Sequence, residues 1–258
     1  MSLLQNFFIP KKNIIDKMVI INGSQLRHIK NVIRKKKGDL IRIFDERGYL
    51  YLVEIMSVSR EKIESKIVKR LRESAEPRLT VNLYQSIPKS NKMDLIVQKC
   101  TEIGVFSIHP IISARTIVKL KPSTESQKLK RWQRIAQGAS EQSRRTIVPR
   151  IFEPQIFFEA IGKIKSKYDK DGFFGLIPWE EESQNTLKDF LKENLTPKIA
   201  NLELDLFIGP EGGFTRTEVA LAYRSGIRPI SMGNRIMRTE TAGLISIALI
   251  LYEYGDLG

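Results

Sequence analysis

Hydrophobic and polar positions change their rhythm once along this chain. Between Lys37 and Leu71 apolar residues come in short runs: Asp39 to Phe44, a turn at Asp45-Glu46-Arg47-Gly48, then Tyr49 to Val58 and Lys62 to Val68. Runs of that length around a glycine-containing turn predict antiparallel strands, together a small β-barrel. The segment Arg72 to Pro77 is polar, ends on a proline and precedes a new apolar run. It marks a boundary, with one domain over residues 1–72 and another over 76–258.

Beyond the boundary the pattern alternates between strand and helix. Apolar runs at Leu79 to Ile87, Phe106 to Ile112, Phe173 to Ile177, Leu204 to Ile208 and Arg228 to Met232 predict buried parallel strands. Met93, Ile96, Val97 and Cys100 share one face of a helix that Gly104 ends. Thr124 and Gln127 predict a capping box that opens a long basic helix running to about Ser143. The final helix, Ala242 to Tyr254, is apolar on nearly all sides, which calls for more than one partner surface and predicts a homodimer. The element order is that of an α/β domain with a mostly parallel sheet.

Charge adds a first functional indication. The 258 residues carry a formal +14, and the excess is polarised: residues 1–75 hold 17 basic and 8 acidic side chains, residues 121–150 hold 8 and 2, and residues 151–258 hold 12 and 16. Such a field favours a polyanionic partner, a nucleic acid above all. The N-terminal stretch lacks the basic and apolar regions of a signal peptide, and the apolar run from Ala242 to Tyr252 is too short for a membrane span. One cysteine, Cys100, and no Cys/His cluster with zinc spacing leave no disulfide or metal site to expect, which fits a reducing cytoplasm.

Candidate chemistry concentrates in two loops. After the fourth strand of the second domain comes Ile208-Gly209-Pro210-Glu211-Gly212-Gly213-Phe214-Thr215, with Thr215 and Glu218 forming a capping box for the next helix. Glycines there let the backbone approach a ligand. The loop lacks the Lys-Ser/Thr of a phosphate-binding P-loop and the spacing of the dinucleotide fingerprint. After the fifth strand comes Ser231-Met232-Gly233-Asn234-Arg235-Ile236-Met237-Arg238-Thr239-Glu240-Thr241-Ala242, entering the last helix. Both loops fall where an open α/β sheet binds ligands, outside the carboxyl ends of its strands.

Together these two segments resemble the signature of the RsmE family of small-subunit (16S) ribosomal RNA uridine-N3 methyltransferases, within the SPOUT superfamily. The resemblance extends to Phe7-Phe8, Arg27-His28, Val32-Ile33-Arg34, the stretch from Lys92 to Val105, and Glu141-Gln142-Ser143-Arg144. It departs at Met237 and Ile103, where leucine is usual, and at Ala114, where an acidic residue often precedes Arg115. The resemblance implies a C-terminal deep trefoil knot, a PUA-like N-terminal barrel, S-adenosyl-L-methionine as cofactor and 16S rRNA, in the 30S subunit, as partner. The rival readings are a knotted methyltransferase for another RNA, such as tRNA or large-subunit rRNA, and a non-catalytic ribosome-assembly factor.

By the same resemblance the cofactor lies against Ile208, Gly209, Pro210, Glu211, Gly212 and Gly213 on one side. Met232, Gly233, Arg235, Ile236, Met237, Arg238, Thr239, Thr241 and Ala242 face it on the other, and Leu176 and Ile177 form a third wall. Uridine N3 is protonated and a poor nucleophile, so a base or a cation favouring the anionic form is needed. Glu211 as proton acceptor, and Arg238 or Arg115 as electrostatic stabiliser, are the catalytic candidates, while Glu240 reads as first-turn helix stabilisation. Arg27, His28, Arg34, Lys35, Arg144 and Arg145 are the RNA-binding candidates. His109 is expected in the core or a dimer interface and Cys100 as a small buried hydrophobe, while Trp132 and Trp179 offer rings that can stack on a base but, as lone aromatics, read first as packing residues.

Overall fold

The computed structural model describes residues 5–118, 122–168, 170–194 and 202–257. The chain divides into two units, one comprising residues up to Glu76 together with Gln137–Val148, the other Pro77–Ala136 and Pro149 onward.

In the first unit, β1 (Asn6–Phe8), β2 (Ile14–Ile15), β3 (Met18–Ile21), β4 (Leu40–Phe44), β5 (Leu50–Val58) and β6 (Ile63–Leu71) form one sheet in the order β1-β4-β5-β6-β3-β2. All its pairings are antiparallel except that of β1 with β4. The three longer strands lie where the apolar rhythm predicts them. In β4, Ile41 and Ile43 turn inward while Leu40 is 40% exposed, and they join Phe7, Val19, Val53, Ile55 and Ile63 in a single core. The Asp45–Gly48 turn is held by the Asp45 carboxylate, which accepts from the backbone N–H of Arg47 (2.9 Å) and Tyr49 (3.1 Å). Helix α1 (Gly23–Arg27) runs into a short π-helical turn over His28–Val32.

Residues 137–148 pack with this unit rather than with the second domain to which position in the chain assigns them. Glu141, 5% exposed, accepts hydrogen bonds from Phe8 N, Gln25 Nε2 and Gln137 Nε2. Burial pushes its carboxyl up, against the pull of those donors.

The second unit is an α/β layer. Its strands β7 (Thr80–Ser86), β8 (Ser107–Ile112), β9 (Arg150–Ile151), β10 (Gln155–Ile156), β11 (Phe173–Pro178), β12 (Glu203–Ile208) and β13 (Ile227–Ile230) are all parallel, in the order β10-β8-β7-β12-β11-β13, with β9 also on β8. Helices α2 (Lys92–Ile103), α3 (Pro122–Gln142), α4 (Phe157–Ile164), α5 (Leu187–Asn194), α6 (Arg216–Arg224) and α7 (Thr239–Tyr254) connect or follow them. Met93, Ile96, Val97 and Cys100 are buried on one face of α2, which Gly104 terminates. Helix α3 begins at Pro122, so Thr124 lies inside the first turn and is not the cap; proline suits that first position because its missing N–H has no helical acceptor. Helix α7 opens at Thr239, three residues before the predicted start, and packs on α2, α5, β7 and β12.

His109 belongs to the core of this unit. Its ring lies between Tyr84 (4.4 Å) and Phe152 (4.1 Å), and burial, aided by Lys167 and Arg150, pushes its pKa down to about 4. Cys100 is fully buried and Trp132 is nearly so.

Candidate active site

Strands β12, β11 and β13 are neighbours, so the loops leaving their carboxyl ends sit side by side. Between them opens a cleft of about 500 Å³, walled by residues 178–180 and 182–183 at and after the end of β11, 208–211 and 213–214 at and after the end of β12, and 231–239 after β13, with Lys92 and Ala242 completing it. Thirteen of the predicted cofactor residues meet here: Ile208, Gly209, Pro210, Glu211, Gly213, Met232, Gly233, Arg235, Ile236, Met237, Arg238, Thr239 and Ala242.

Four do not. Leu176 and Ile177 are fully buried inside β11, and the third wall is formed instead by Pro178 at the end of that strand and by Trp179 and Glu180 beyond it. Gly212 turns its carbonyl away to accept from Arg115 Nη1 at 2.7 Å. Thr241 is exposed in the first turn of α7, off the lining.

The loop after β12 is tightly braced. Gly213 has a φ of +69°, a conformation that strains any side chain there, and a β-carbon would in addition push the exposed Glu180 carboxylate aside. At Gly209 a β-carbon would press at 3.3 Å on Gly213 Cα, which only a hydrogen relieves. Thr215 and Glu218 form the predicted capping box, and the fully buried Glu218 also accepts from Ala114 N at 2.7 Å. Glu211 accepts from Lys89 N at 3.0 Å and pairs with Lys92 Nζ at 3.3 Å. Burial would raise its carboxyl, but backbone N–H groups and Lys92 outweigh that and hold it below the usual glutamate value.

Lys92 opens α2, and a lysine in that position carries no signal of a site role in sequence. Its ammonium also reaches Glu240 at 3.1 Å, and that pairing is the main reason it is held protonated above the usual lysine value. One side chain thus joins the start of α2 to both loops. Beneath it, Thr239 is buried and donates to the Gly209 carbonyl (2.6 Å) while accepting from the fully buried Gln85 Nε2 (2.9 Å).

The loop after β13 is different in character. Arg235 and Arg238 are exposed at the cleft and make no ion pair or side-chain hydrogen bond among the described residues. Ile236 between them is 89% exposed. Arg238 precedes the first residue of α7 without capping it through its side chain.

Of the predicted RNA-binding residues, all in the first unit, Arg27 and Arg34 are exposed, Lys35 and Arg144 are half-buried, and His28 packs edge-on against Phe7 at 5.8 Å. Arg145 is a correction. It is 2% exposed, and its Nε and Nη2 donate to Glu76 Oε2 at 3.0 and 2.7 Å, while Glu76 Oε1 accepts from Thr146 N and Ile147 N. A guanidinium committed in that way holds the 137–148 segment in its unit and has no free donor edge to offer a phosphate.

A parallel sheet carrying a glycine-built cleft at its carboxyl edge, in a chain that also holds a separate basic unit, suits an RNA-modifying enzyme. Residues 75–251 match the family described as an RNA methyltransferase domain, and residues 21–68 match an RNA methyltransferase PUA domain. The chain belongs to this RNA methyltransferase family. The relatives it resembles are ribosomal RNA small subunit methyltransferases E: that of Bacillus subtilis is 32% identical over 90% of this chain and 89% of its own length. The structure of the Neisseria gonorrhoeae ribosomal RNA small subunit methyltransferase E bound to S-adenosyl methionine is 29% identical, covers 99% of this chain and 100% of that one, and aligns with a TM-score of 0.86. A Legionella pneumophila methyltransferase solved with the same cofactor aligns at 0.83 with 25% identity, covering 97% of this chain and 98% of that one.

Proposed function

We propose that this chain uses S-adenosyl-L-methionine to methylate N3 of a specific uridine in the 16S rRNA of the small ribosomal subunit. The observation that carries this reading is the cleft itself, built from the two glycine-containing loops in a fold that aligns along its length with a relative bound to that cofactor. Its volume, its apolar lining by Ile208, Phe214, Met232 and Met237, and its exposed backbone groups suit an adenosine with an aliphatic amino-acid tail.

When bound, the cofactor supplies an electrophilic methyl group on a sulfonium. The protein's task is to bring uridine N3 in line with it and to favour loss of the N3 proton. Glu211 is a weak candidate for base, because Lys89 N–H and Lys92 stabilise its ionised form. Arg238 is the better one for catalysis: an unpaired guanidinium at the cleft stabilises the uracil anion as the proton leaves for solvent. Glu211 and Arg115 then act as positioning residues, through Lys92 and through the Gly212 carbonyl.

The division of labour follows the two units, with the PUA-like RNA-binding part in the unit of residues up to Glu76 and Gln137–Val148, and the methyltransferase part in Pro77–Ala136 and Pro149 onward. RNA is held by Arg27, His28, Arg34, Lys35 and Arg144 of the first unit. The return of the chain from β13, at the edge of the sheet, to pack α7 against β7 and β12 at its centre supports a knotted C-terminal part. On α7, Leu249 and Tyr252 are 44% and 65% exposed and share a stripe with the half-buried Ile245, which supports a homodimer formed through that face. A ribosomal RNA substrate is consistent with a cytoplasmic location, and no described helix is long and apolar enough to cross a membrane.

Calorimetry with S-adenosyl-L-methionine should give one site per chain. Absence of heat in a folded sample contradicts the enzyme reading and favours the assembly factor.

A further inference from the structure

Beside the cofactor cleft lies a second, open groove of about 360 Å³, lined by Trp179, Glu182, Asn185, Arg216, Val219, Ala220, Tyr223 and Pro229. Trp179 and Glu182 line both hollows, so the groove continues the cleft across the indole. None of the predicted site residues lies in it, and the reaction at N3 does not use it.

We infer that this groove is a second base-binding subsite, which receives an unpaired nucleotide next to the target uridine. The inference rests on the proposed rRNA methyltransferase activity. Four observations converge on it. The floor, Val219, Ala220 and Pro229, is apolar, and Val219 is 4% exposed. On the rim, Tyr223 of α6 presents its ring to solvent at 67% exposure, although a tyrosine on a helix face usually buries its ring against a neighbour. Such a ring is a stacking platform of the kind that single-stranded RNA uses, indifferent to base identity.

The indole N–H of Trp179 is itself buried and meets no acceptor among the described residues. A buried donor without a partner is uncommon, and a base carbonyl at the junction of cleft and groove would satisfy it. Finally, Arg216 at the groove's edge is 82% exposed and engaged only with Glu181, itself 44% exposed, at 2.7 Å. An ion pair so open to water is worth little, so the guanidinium can turn to a phosphate at small cost. The neighbouring carboxylates Glu181 and Glu182 repel a phosphate, and this places the nucleotide base, not its backbone, in the groove, with Arg216 the one residue reaching outward.

The test uses the full chain in a Trp132→Phe background, where Trp179 is the remaining tryptophan. Oligouridylate of five residues is titrated against its fluorescence, with cofactor affinity measured in parallel by calorimetry. Stacking beside the indole should quench Trp179, and Tyr223→Ala should weaken the titration about tenfold while Tyr223→Phe retains it and cofactor affinity stays unchanged. The same variant should raise the KM for unmethylated small subunits with kcat little altered. Quenching of equal midpoint in Tyr223→Ala, or no quenching at all in the parent, overturns the subsite. Failure of the parent to bind cofactor instead overturns the activity, and the oligouridylate titration then still reports on the groove by itself.

Discussion

In the loop after β12 nearly every polar group has a protein partner: Glu211 with Lys89 N–H and Lys92, the Gly212 carbonyl with Arg115, the Gly209 carbonyl with Thr239, and Thr215 with Glu218. In the loop after β13, facing it across the cleft, Arg235 and Arg238 have none among the described residues, and Ile236 stands in solvent. The first loop carries three glycines and one charged residue, the second one glycine and three charged residues, and the first is finished by the protein while the second is left for something else to finish. A fully paired loop fixes the shape of a slot, and unpaired cations supply the free energy of contact with what enters it. Substitutions in the first loop should therefore act through the cleft's geometry, and those in the second through chemistry alone.

The largest effect is expected at Gly213. Gly213→Val meets both the +69° backbone and the Glu180 carboxylate, and the displaced loop should cost about a hundredfold or more in cofactor affinity by calorimetry. Gly212→Val is milder, because a β-carbon there meets Arg115 side-chain atoms only at ordinary contact, 3.4 Å. Equal losses at the two positions would remove the distinction between a residue that shapes the cleft and one that turns from it.

Next comes the open loop. Arg238→Ala should lower kcat on unmethylated small subunits by about a hundredfold, the cost of one preorganised charge at a developing anion. The melting temperature should not move, since the side chain has no partner to lose. A drop in stability of the size seen for first-loop variants would show that Arg238 is a brace.

Thr239→Val is predicted to fall between. It leaves the Gly209 carbonyl without its donor and one of the two N–H groups of the buried Gln85 amide without its acceptor, which costs about 1–3 kcal/mol in denaturant unfolding. Cofactor affinity should follow, because the same hydroxyl fixes the floor of the slot.

The smallest effect belongs to Lys92→Met. Lys92 pairs with Glu211 and Glu240 in a site open to water, so screening keeps both pairings weak and their loss should weaken cofactor binding by no more than about fivefold. Glu211 is held below the ordinary glutamate value, so its share of the pairing is present at neutral pH and is lost only as pH falls through that depressed value. The parent-to-variant ratio should accordingly be the same at pH 7 and pH 5.5.

The two loops were legible before any coordinates because glycine, proline and the Thr-x-x-Glu box punctuate sequence strongly. The longer strands were legible for a related reason: β4 to β6 and β7, β8 and β11 to β13 lie in apolar runs long enough for alternation or burial to register, while the four-residue β3 went unpredicted. Strands of two or three residues, β1, β2, β9 and β10, carry too few positions for any period. What escaped is what depends on distant pairing. Arg145 reads as a surface cation in a basic segment until Glu76, far away in sequence, is seen against it. Leu176 and Ile177 read as a cleft wall, whereas register places them in the sheet and hands the wall to Trp179 and Glu180. Lys92, Gln85 and Trp179 have ordinary local context, and only the strand order brings them to the site.

The most direct test of the account is nucleoside mass spectrometry of rRNA from purified, unmethylated small subunits incubated with this protein and methyl-labelled S-adenosyl-L-methionine. The account predicts labelled N3-methyluridine at one position of 16S rRNA, lost in the Gly213→Val and Arg238→Ala variants. Label in a different nucleoside, or no label from a protein that binds the cofactor, contradicts it.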